Sequence, residues 1–292
     1  MIKKISKIIY LLLKVIDFPL KKIFNRSFLI WFKDFIEVDS YIKIQIPNSK
    51  NQIKLFAPNY LTNWMSREFF EKEPETIEWI NNFKVFNDKK IIFWDIGANL
   101  GFYSIYAAKI HQNIDVVSFE PSSSNLRILS RNISINNLED KIGINTLPLG
   151  TKDFKFSIFR ESKFGEGESN NSYDKNIDFE GKIINQTNSY KLLGTSINKL
   201  IDLNILEIPN YIKIDVDGLE HIILSGASKC LSHGNLKGLQ IEINENFADQ
   251  YLSILEIMKQ NNFKLISKKR NENLEIYKNK KFLNIYNYYF EK

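Results

Sequence analysis

The sequence predicts an α/β fold in which a doubly wound, mostly parallel β-sheet is covered by helices. From residue 89 onward, short apolar segments alternate with segments of helical periodicity, which is typical of parallel strands with helices on both faces. The first apolar segment ends in an acid and a glycine-rich turn that enters a helix, as expected at the ligand-binding edge of such a sheet. The aromatic stretch 282–290 predicts a last strand, which we expect to be antiparallel.

The other predicted elements follow the same alternation in chain order. Strands are expected at 91–96, 115–120, 142–149, 211–216, 238–243 and 263–268. Helices are expected near 101–111, 123–135, 219–230 and 247–260. Earlier in the chain, residues 41–46 alternate like a strand, and a helix begins near Glu73 with Pro74 in its first turn.

The composition is that of an ordinary globular protein, with 43% hydrophobic and 25% charged residues. The single cysteine, Cys230, excludes an internal disulfide and a cysteine-based zinc site. Because the three histidines are scattered, at positions 111, 221 and 233, no zinc centre is predicted.

The net charge of +6 is concentrated at the N-terminus. The first 33 residues hold eight lysine and arginine residues and one acid, Asp17, so they carry +7 and the rest of the chain carries −1. A body with no basic excess has nothing to attract a phosphate backbone. We therefore expect no nucleic-acid partner.

The basic segment predicts an amphipathic helix over residues 3–18, with lysines opposite an apolar face. Its longest apolar run, 8–13, is too short to span a bilayer. Two interpretations remain open: a helix lying on an anionic membrane surface, or a helix whose apolar face packs on the domain. The apolar face comprises Ile5, Ile8, Ile9, Leu12 and Ile16.

Three regions are predicted: a helical segment over 1–34, an extension over 35–88 that packs on the core, and the main α/β domain over 89–292. Residues 161–189 interrupt that domain with Gly, Ser, Asn, Asp and Lys. A polar loop of this length is expected to be either a mobile functional lid or a disordered insertion.

The strongest motif lies where the first strand of the main domain ends. Asp95 is followed by a turn in which Gly97 and Gly101 let the backbone approach a ligand closely. Glu120 ends the second strand, where an acid can accept hydrogen bonds from both ribose hydroxyls. This pair predicts a Rossmann-like domain for an adenosine-bearing cofactor.

The acids favour S-adenosylmethionine over a dinucleotide, because Asp95 would repel a pyrophosphate but attract the amino group of S-adenosylmethionine. Gly150, which follows the third predicted strand, is assigned to the same site. The predicted cofactor-binding residues are Asp95, Gly97, Ala98, Asn99, Gly101, Tyr103, Ser104, Glu120, Pro121 and Gly150.

A second cluster lies at the end of the fourth predicted strand. Strand alternation puts Lys213, Asp215 and Asp217 on one side, and the turn at Gly218 returns Glu220 to the same strand end. Asp215 and Glu220 are the predicted catalytic acids, one of which would deprotonate a hydroxyl, with Lys213 and Asp217 in support. Glu242 and Asn244, at the end of the next strand, could complete a polar floor.

Alternatives remain open for this cluster. Asp217 and Glu220 could instead be the N-cap and capping-box partners of the next helix. Asp215-Val216-Asp217 also has the Asp-x-Asp pattern that in many glycosyltransferases holds a divalent metal and a nucleotide sugar, so metal dependence stays undecided. A membrane-peripheral scaffold with this fold but no catalysis is a third alternative.

At these motifs the chain resembles the FkbM family of methyltransferases. The resemblance includes Glu73-Pro74-Glu75-Thr76, the 95–104 loop, Phe119-Glu120-Pro121-Ser122, Asn132, Asn137, the 213–220 segment and Leu224-Ser225-Gly226-Ala227. Asp217 stands where the family usually has Glu, and Leu219 where it has Ala. The resemblance implies O-methylation of a hydroxyl on a sugar, glycan or glycolipid, in polysaccharide biosynthesis and in the cytoplasm. It also suits a peripheral contact of residues 3–18 with the inner membrane face.

Overall fold

The computed structural model describes residues 1–85, 90–184, 188–272, 279 and 282–292. The predicted boundary between residues 88 and 89 lies outside this described part. The helices are α1 (Ile2–Phe24), α2 (Leu29–Val38), α3 (Tyr60–Lys72), α4 (Pro74–Asn81), α5 (Phe102–Ile110), α6 (Ser123–Ile135), α7 (Ile197–Asp202), α8 (Glu220–Ser225), α9 (Ser228–Ser232) and α10 (Ala248–Gln260). In the described part, no helix is long and apolar enough to cross a membrane.

The strands of the described residues form three sheets. They are β1 (Tyr41–Gln45), β2 (Gln52–Phe56), β3 (Ile91–Ile96), β4 (Ile114–Phe119), β5 (Ile142–Asn145), β6 (Lys155–Glu161), β7 (Ser172–Tyr173), β8 (Asn188–Gly194), β9 (Tyr211–Ile214), β10 (Gly238–Asn244), β11 (Lys264–Lys269) and β12 (Ile285–Glu291). Strands β1 and β2 form a hairpin, and β7, β6 and β8 form a small antiparallel sheet.

The central sheet has seven strands in the order β11-β12-β10-β9-β3-β4-β5. Its strands are parallel except β12, which runs antiparallel to β10 and β11. This confirms the predicted Rossmann-like doubly wound α/β fold with an antiparallel C-terminal strand. The chain proceeds outward from β3 to β5 and then returns to β9 on the other side of β3. The carboxyl ends of β3 and β9 therefore flank the point where such sheets bind ligands.

Apolar side chains cover both faces of this sheet. One face packs against α5 and α6 and the β1–β2 hairpin, with Phe93 and Ile105 fully buried there. The other face packs against α7, α8, α9 and α10, with Trp94 and Ile241 fully buried. Parallel strands that are covered on both faces read as continuous apolar runs, which is why β3 could be predicted to the residue.

Several predicted elements have different bounds in the structure. The strand expected over 142–149 ends at Asn145, that expected over 211–216 ends at Ile214, and that expected over 282–290 is Ile285–Glu291. The helix expected over 219–230 is divided into α8 and α9. Gly226 lies at this division, where a Cβ would come 2.3 Å from the carbonyl oxygen of Gly150. The close backbone contact thus divides a segment whose apolar periodicity reads as one helix.

The polar segment 161–189 is not an unstructured loop in its described part. It includes β7 and the start of β8, and its tip is fastened to neighbouring helices. The Gly167 amide donates to Asn125 Oδ1 on α6 at 2.9 Å, and Asn59 Nδ2 at the start of α3 donates to the Glu166 carbonyl oxygen at 3.1 Å. The tip, residues 165–171, is called the cover loop below.

Candidate active site

The turn after β3 lies directly against the end of β9. Gly97 has φ +83°, and a Cβ at this position would lie 1.9 Å from the carbonyl oxygen of Asp215. Gly101 has φ +81°, and its Cβ would lie 2.3 Å from Leu129 Cδ1 on α6. Only glycine combines the left-handed conformation with this close approach. Gly97 therefore determines how closely the two strand ends meet, and Gly101 determines how closely α6 approaches the start of α5.

Asp95 lies beneath this turn. Its Oδ2 accepts hydrogen bonds from the Ser104 amide at 3.1 Å and the Ser104 hydroxyl at 2.6 Å, so it anchors the first turns of α5. Burial raises the pKa of Asp95 even though the charge of Lys213 favours its ionised form. Asp95 is fully buried, and its Oδ1 has no hydrogen-bond partner. It supports the turn from within the sheet.

Glu120 is held at the end of β4 with its carboxylate against the same turn. Its Oε2 accepts a hydrogen bond from the Asn99 amide and its Oε1 one from the Ser122 amide, both at 2.8 Å. Burial raises the pKa of Glu120 to about 8, although these two amides favour the charged form. The buried carboxylate is aligned by the backbone and lines a cavity.

Two cavities meet at the switch point. The first, the β4-side cavity, is lined by Glu120 and Pro121 together with apolar side chains that include Phe119, Leu147 and Leu149. The second, the β9-side cavity, has a volume of about 360 Å³ and is lined by Lys213, Tyr103 and Ala98, among others. Both cavities are bordered by Gly97, Asn99, Glu168, Ser169, Asp215 and Asp217. The two strand ends and the cover loop thus surround one continuous site.

Lys213 and Asp215 form an ion pair in the β9-side cavity, in which Lys213 is buried and Asp215 is partly exposed. Lys213 Nζ lies 2.8 Å from Asp215 Oδ2 and 5.0 Å from the centre of the Tyr103 ring. Burial opposes ionisation of Asp215, but the charge of Lys213 and then that of Lys72 outweigh it and lower its pKa. Asp215 is therefore ionised and weakly basic, because its partner stabilises the charged form.

Asp217 differs from Asp215 in its surroundings. Its φ of +57° turns the chain back, and its Oδ2 accepts a hydrogen bond from the Asn170 amide of the cover loop at 2.6 Å. Burial, and then the charge of Asp215, raise the pKa of Asp217 to about 6. Both acids line the β9-side cavity, but strand alternation does not place them there, since β9 ends at Ile214. The sequence did not separate their proton affinities, which depend on where Lys213 lies.

Glu220 is turned away from both cavities. Its Oε1 accepts a hydrogen bond from the Val216 amide at 2.9 Å, its Oε2 one from the Gly218 amide at 3.1 Å, and Gln250 Nε2 donates to the same oxygen. The carboxylate is fully buried and stabilises the turn after β9. The capping-box interpretation does not hold either, since Leu219 is the N-cap residue of α8.

Gly150 also lies apart from the switch point. Its amide donates to the Thr195 carbonyl oxygen at 2.9 Å, and its carbonyl oxygen faces Gly226. It is not among the described residues that line either cavity.

Four charged residues of the site were not among the predicted site residues. Lys72 and Glu73, at the end of α3, line the β9-side cavity, as does Glu242 on β10, and Glu168 of the cover loop lines both cavities. Burial, and then the charge of Asp215, raise the pKa of Glu242 well above its ordinary value. Glu242 was expected only to complete the polar floor of the acidic cluster, and Glu73 was expected only to begin a helix. Glu242 could have been predicted because acids recur at the ends of successive strands. No such pattern in the sequence indicates that the end of α3 reaches the site.

The described residues include no group of three His, Cys, Asp or Glu side chains arranged to hold a metal ion. In the Asp-x-Asp pattern, Asp215 is paired with Lys213 and Asp217 with the Asn170 amide. The geometry therefore does not favour the metal-dependent glycosyltransferase alternative.

The strand order and the acid-lined switch point are those of a Rossmann-like methyltransferase. The sequence matches the methyltransferase FkbM domain over residues 95–265, which is more than half of the chain. The protein therefore belongs to the FkbM family of S-adenosylmethionine-dependent methyltransferases. Among curated proteins none matches.

Solved structures with a similar fold include the precorrin-6y C5,15-methyltransferase of Geobacter metallireducens GS-15, with 12% identity, 75% of this chain and 86% of that chain covered, and a TM-score of 0.41. The Methanococcus jannaschii fibrillarin pre-rRNA processing protein has 14% identity, coverage of 87% and 83%, and a TM-score of 0.44. An rRNA methylase of Streptococcus thermophilus has 14% identity, coverage of 75% and 94%, and a TM-score of 0.43. Because these TM-scores are low, the fold assignment is based on the strand order of the central sheet.

The buried Glu220 predicts a specific dependence of stability on pH. Burial raises its pKa from the ordinary 4.5 to about 7, so the folded state binds a proton more tightly than the unfolded state. The stabilisation from this group is therefore complete below pH 4.5 and is lost as the pH rises to about 7. Because glutamine does not titrate, the free energy of unfolding of Glu220→Gln should fall less across this range than that of the wild type, as measured by urea denaturation. Glu139→Gln, at an exposed position, is the control and should follow the wild type. Equal slopes for wild type and Glu220→Gln would contradict the assigned proton affinity.

Proposed function

We propose that this protein transfers the methyl group of S-adenosylmethionine to a hydroxyl group of a saccharide. The observation that carries the proposal is the meeting of two unlike cavities across Gly97 and Asp215. One combines apolar walls with the buried Glu120 carboxylate, and the other contains most of the charge. A cofactor that reaches across the shared border would expose its reactive end to an acceptor in the second cavity.

The residues of the β4-side cavity fit the adenosine part of the cofactor. The Glu120 carboxylate, aligned by two amides, suits the two ribose hydroxyls, and Phe119 and Leu149 supply apolar surface for a base. Asp215 and Asp217 at the shared border suit the positively charged part of S-adenosylmethionine. Asp95 would act through the turn that it supports, since its carboxylate is buried beneath the loop.

The residues of the β9-side cavity fit an uncharged polyhydroxylated acceptor. Carboxylates can each accept hydrogen bonds from two hydroxyls, and Glu73, Asp215, Asp217 and Glu242 all line this cavity. Glu168 is a fifth acid in this lining, which has two lysines. The acids therefore outnumber the lysines even when Glu242 holds its proton, and a phosphate-rich acceptor would be repelled. Aromatic side chains supply the flat apolar surfaces on which sugar rings pack; they include Trp64, Tyr103, Phe179 and Phe282.

In the proposed reaction, bound S-adenosylmethionine would supply an activated methyl group for the acceptor oxygen, and Asp217 would accept the hydroxyl proton. Asp217 suits this role because a pKa of about 6 leaves it ionised at neutral pH yet more basic than Asp215. Lys213 would keep Asp215 ionised and oriented towards the acceptor. S-adenosylhomocysteine leaves as the second product.

A role in polysaccharide biosynthesis in the cytoplasm belongs to the same proposal. The only cysteine, Cys230, is free and buried, which suits a reducing compartment.

The Glu120 carboxylate should contribute strongly to cofactor affinity. Replacing it by alanine removes the hydrogen-bond partner of two ribose hydroxyls, so Glu120→Ala should weaken S-adenosylmethionine binding by about 1 to 3 kcal/mol in calorimetric titration. Glu139→Ala is the matched control, because Glu139 is an exposed acid outside both cavities, and it should bind as the wild type does. An unchanged affinity in Glu120→Ala would remove the proposed ribose contact.

The proposed base can be tested by Asp217→Asn. Asparagine is nearly isosteric and tolerates the left-handed backbone at this position, so the fold and cofactor affinity should be retained. Turnover should fall by about 10² or more, and the wild-type rate should rise with pH around a midpoint near 6. Asp140→Asn, at an exposed position, is the control. Normal turnover in Asp217→Asn would mean that positioning alone drives the transfer.

A further inference from the structure

The two N-terminal helices expose an extensive apolar surface. The term N-terminal hairpin is used here for α1 and α2 together, residues 2–38. The side chains of the predicted apolar face of α1 are between 49% and 61% exposed, namely Ile5, Ile8, Ile9, Leu12 and Ile16. On α2, Ile30, Trp31 and Phe35 are exposed by 57% or more. Contiguous apolar surface of this kind marks a place where a soluble protein meets a partner or a membrane.

The hairpin is not packed into the domain. Asp17 is its only buried residue, and α1 packs mainly against α2. A cavity of about 720 Å³ separates the hairpin from the body. The connection across it is polar, since Glu37 on α2 forms ion pairs with Arg127 and Arg131 on α6. Of the two interpretations left open by the sequence, the one in which the apolar face of α1 packs on the domain is not the arrangement seen here, because this face is exposed.

The charges of α1 are also arranged on one side. At 3.6 residues per turn, its six lysines fall within about a third of the helix circumference; they are Lys3, Lys4, Lys7, Lys14, Lys21 and Lys22. The single acid, Asp17, is buried and accepts hydrogen bonds from Ser27 Oγ at 2.7 Å and the Phe28 amide at 2.8 Å. All exposed charges of α1 are thus positive and lie on one side, where Leu11 and Phe18 are also exposed, and the opposite side is apolar.

We propose that the N-terminal hairpin binds the surface of an anionic lipid bilayer. The apolar side of α1 would lie at the boundary between headgroups and acyl chains, with its lysines beside lipid phosphates. A groove on a protein covers one stripe of a helix, whereas apolar residues are exposed on both helices here. Trp31 and Tyr10, both more than half exposed, are side chains suited to the water–lipid interface.

This surface lies close to the proposed acceptor site. Glu166 lines the cavity beneath the hairpin, and the next two residues, Gly167 and Glu168, line the β9-side cavity. The cover loop is therefore a common wall of both spaces. Membrane binding by the hairpin would hold the β9-side cavity beside the lipid surface.

The experiment is sedimentation of the full chain with vesicles of phosphatidylcholine, with and without about a third phosphatidylglycerol. The wild type should bind the anionic vesicles, and added salt should weaken binding. Ile8→Ser with Leu12→Ser should lower binding about tenfold or more at unchanged charge. Replacing Lys3, Lys7 and Lys14 by Gln should have a similar effect at unchanged hydrophobicity.

The matched control is Ile205→Ser with Leu252→Ser, which removes apolar side chains that are 55% and 62% exposed elsewhere on the surface. This variant should bind vesicles as the wild type does, and all variants should keep wild-type affinity for S-adenosylmethionine.

Equal binding to uncharged vesicles, or full binding by the Ile8 and Leu12 variant, would overturn the proposal. A wild-type dimer that Ile8→Ser with Leu12→Ser converts to monomer, without vesicle binding, would show instead that a second copy covers this surface.

Discussion

The close approach of two backbones, at Gly97 and at Asp215, determines the geometry of the site. With a Cβ only 1.9 Å from the Asp215 carbonyl oxygen, any side chain at position 97 would force β3 and β9 apart. The turn that Gly97 begins also brings the Asn99 amide to Glu120, and Asn132 Nδ2 holds its far side through the Leu100 carbonyl oxygen at 3.0 Å. Both cavities share this border, so their separation is set by backbone contact and not by flexible side chains.

The site concentrates ionisable groups where water is largely excluded. Such a cluster is stable only if its charges are paired or its acids hold their protons. Both solutions are present: Lys213 neutralises Asp215, whereas burial raises the pKa of Glu120 to about 8 and that of Glu242 well above its ordinary value. Removing one member of a buried ion pair typically costs about 3 to 5 kcal/mol. Burying these groups costs stability because they lose their hydration. The same burial gives neighbouring carboxyls different proton affinities, as acid–base chemistry requires.

The sequence predicted those features that depend on local pattern. Apolar runs located the parallel strands, and the glycine spacing located the turn at Gly97 and Gly101, because both have direct steric causes. Features that depend on tertiary contact were not predictable. Glu220 has the spacing of a catalytic acid, yet three donors from the turn and from α10 occupy its carboxylate. Lys72 and Glu73 reach the site only because α3 packs near the ends of β9 and β10, and the amphipathic pattern of α1 could not say whether its apolar side is covered.

The central claim is that one site joins an adenosine-binding cavity to a cavity for a hydroxylated acceptor. The most direct measurement is transfer of a radiolabelled methyl group from S-adenosylmethionine into a saccharide extract of the host, followed by mild alkali. The account predicts label in the saccharide fraction that resists alkali, because a methyl ether, unlike a methyl ester, is not hydrolysed. No incorporation, or label that alkali releases or that enters only nucleic acid or protein, would contradict the account.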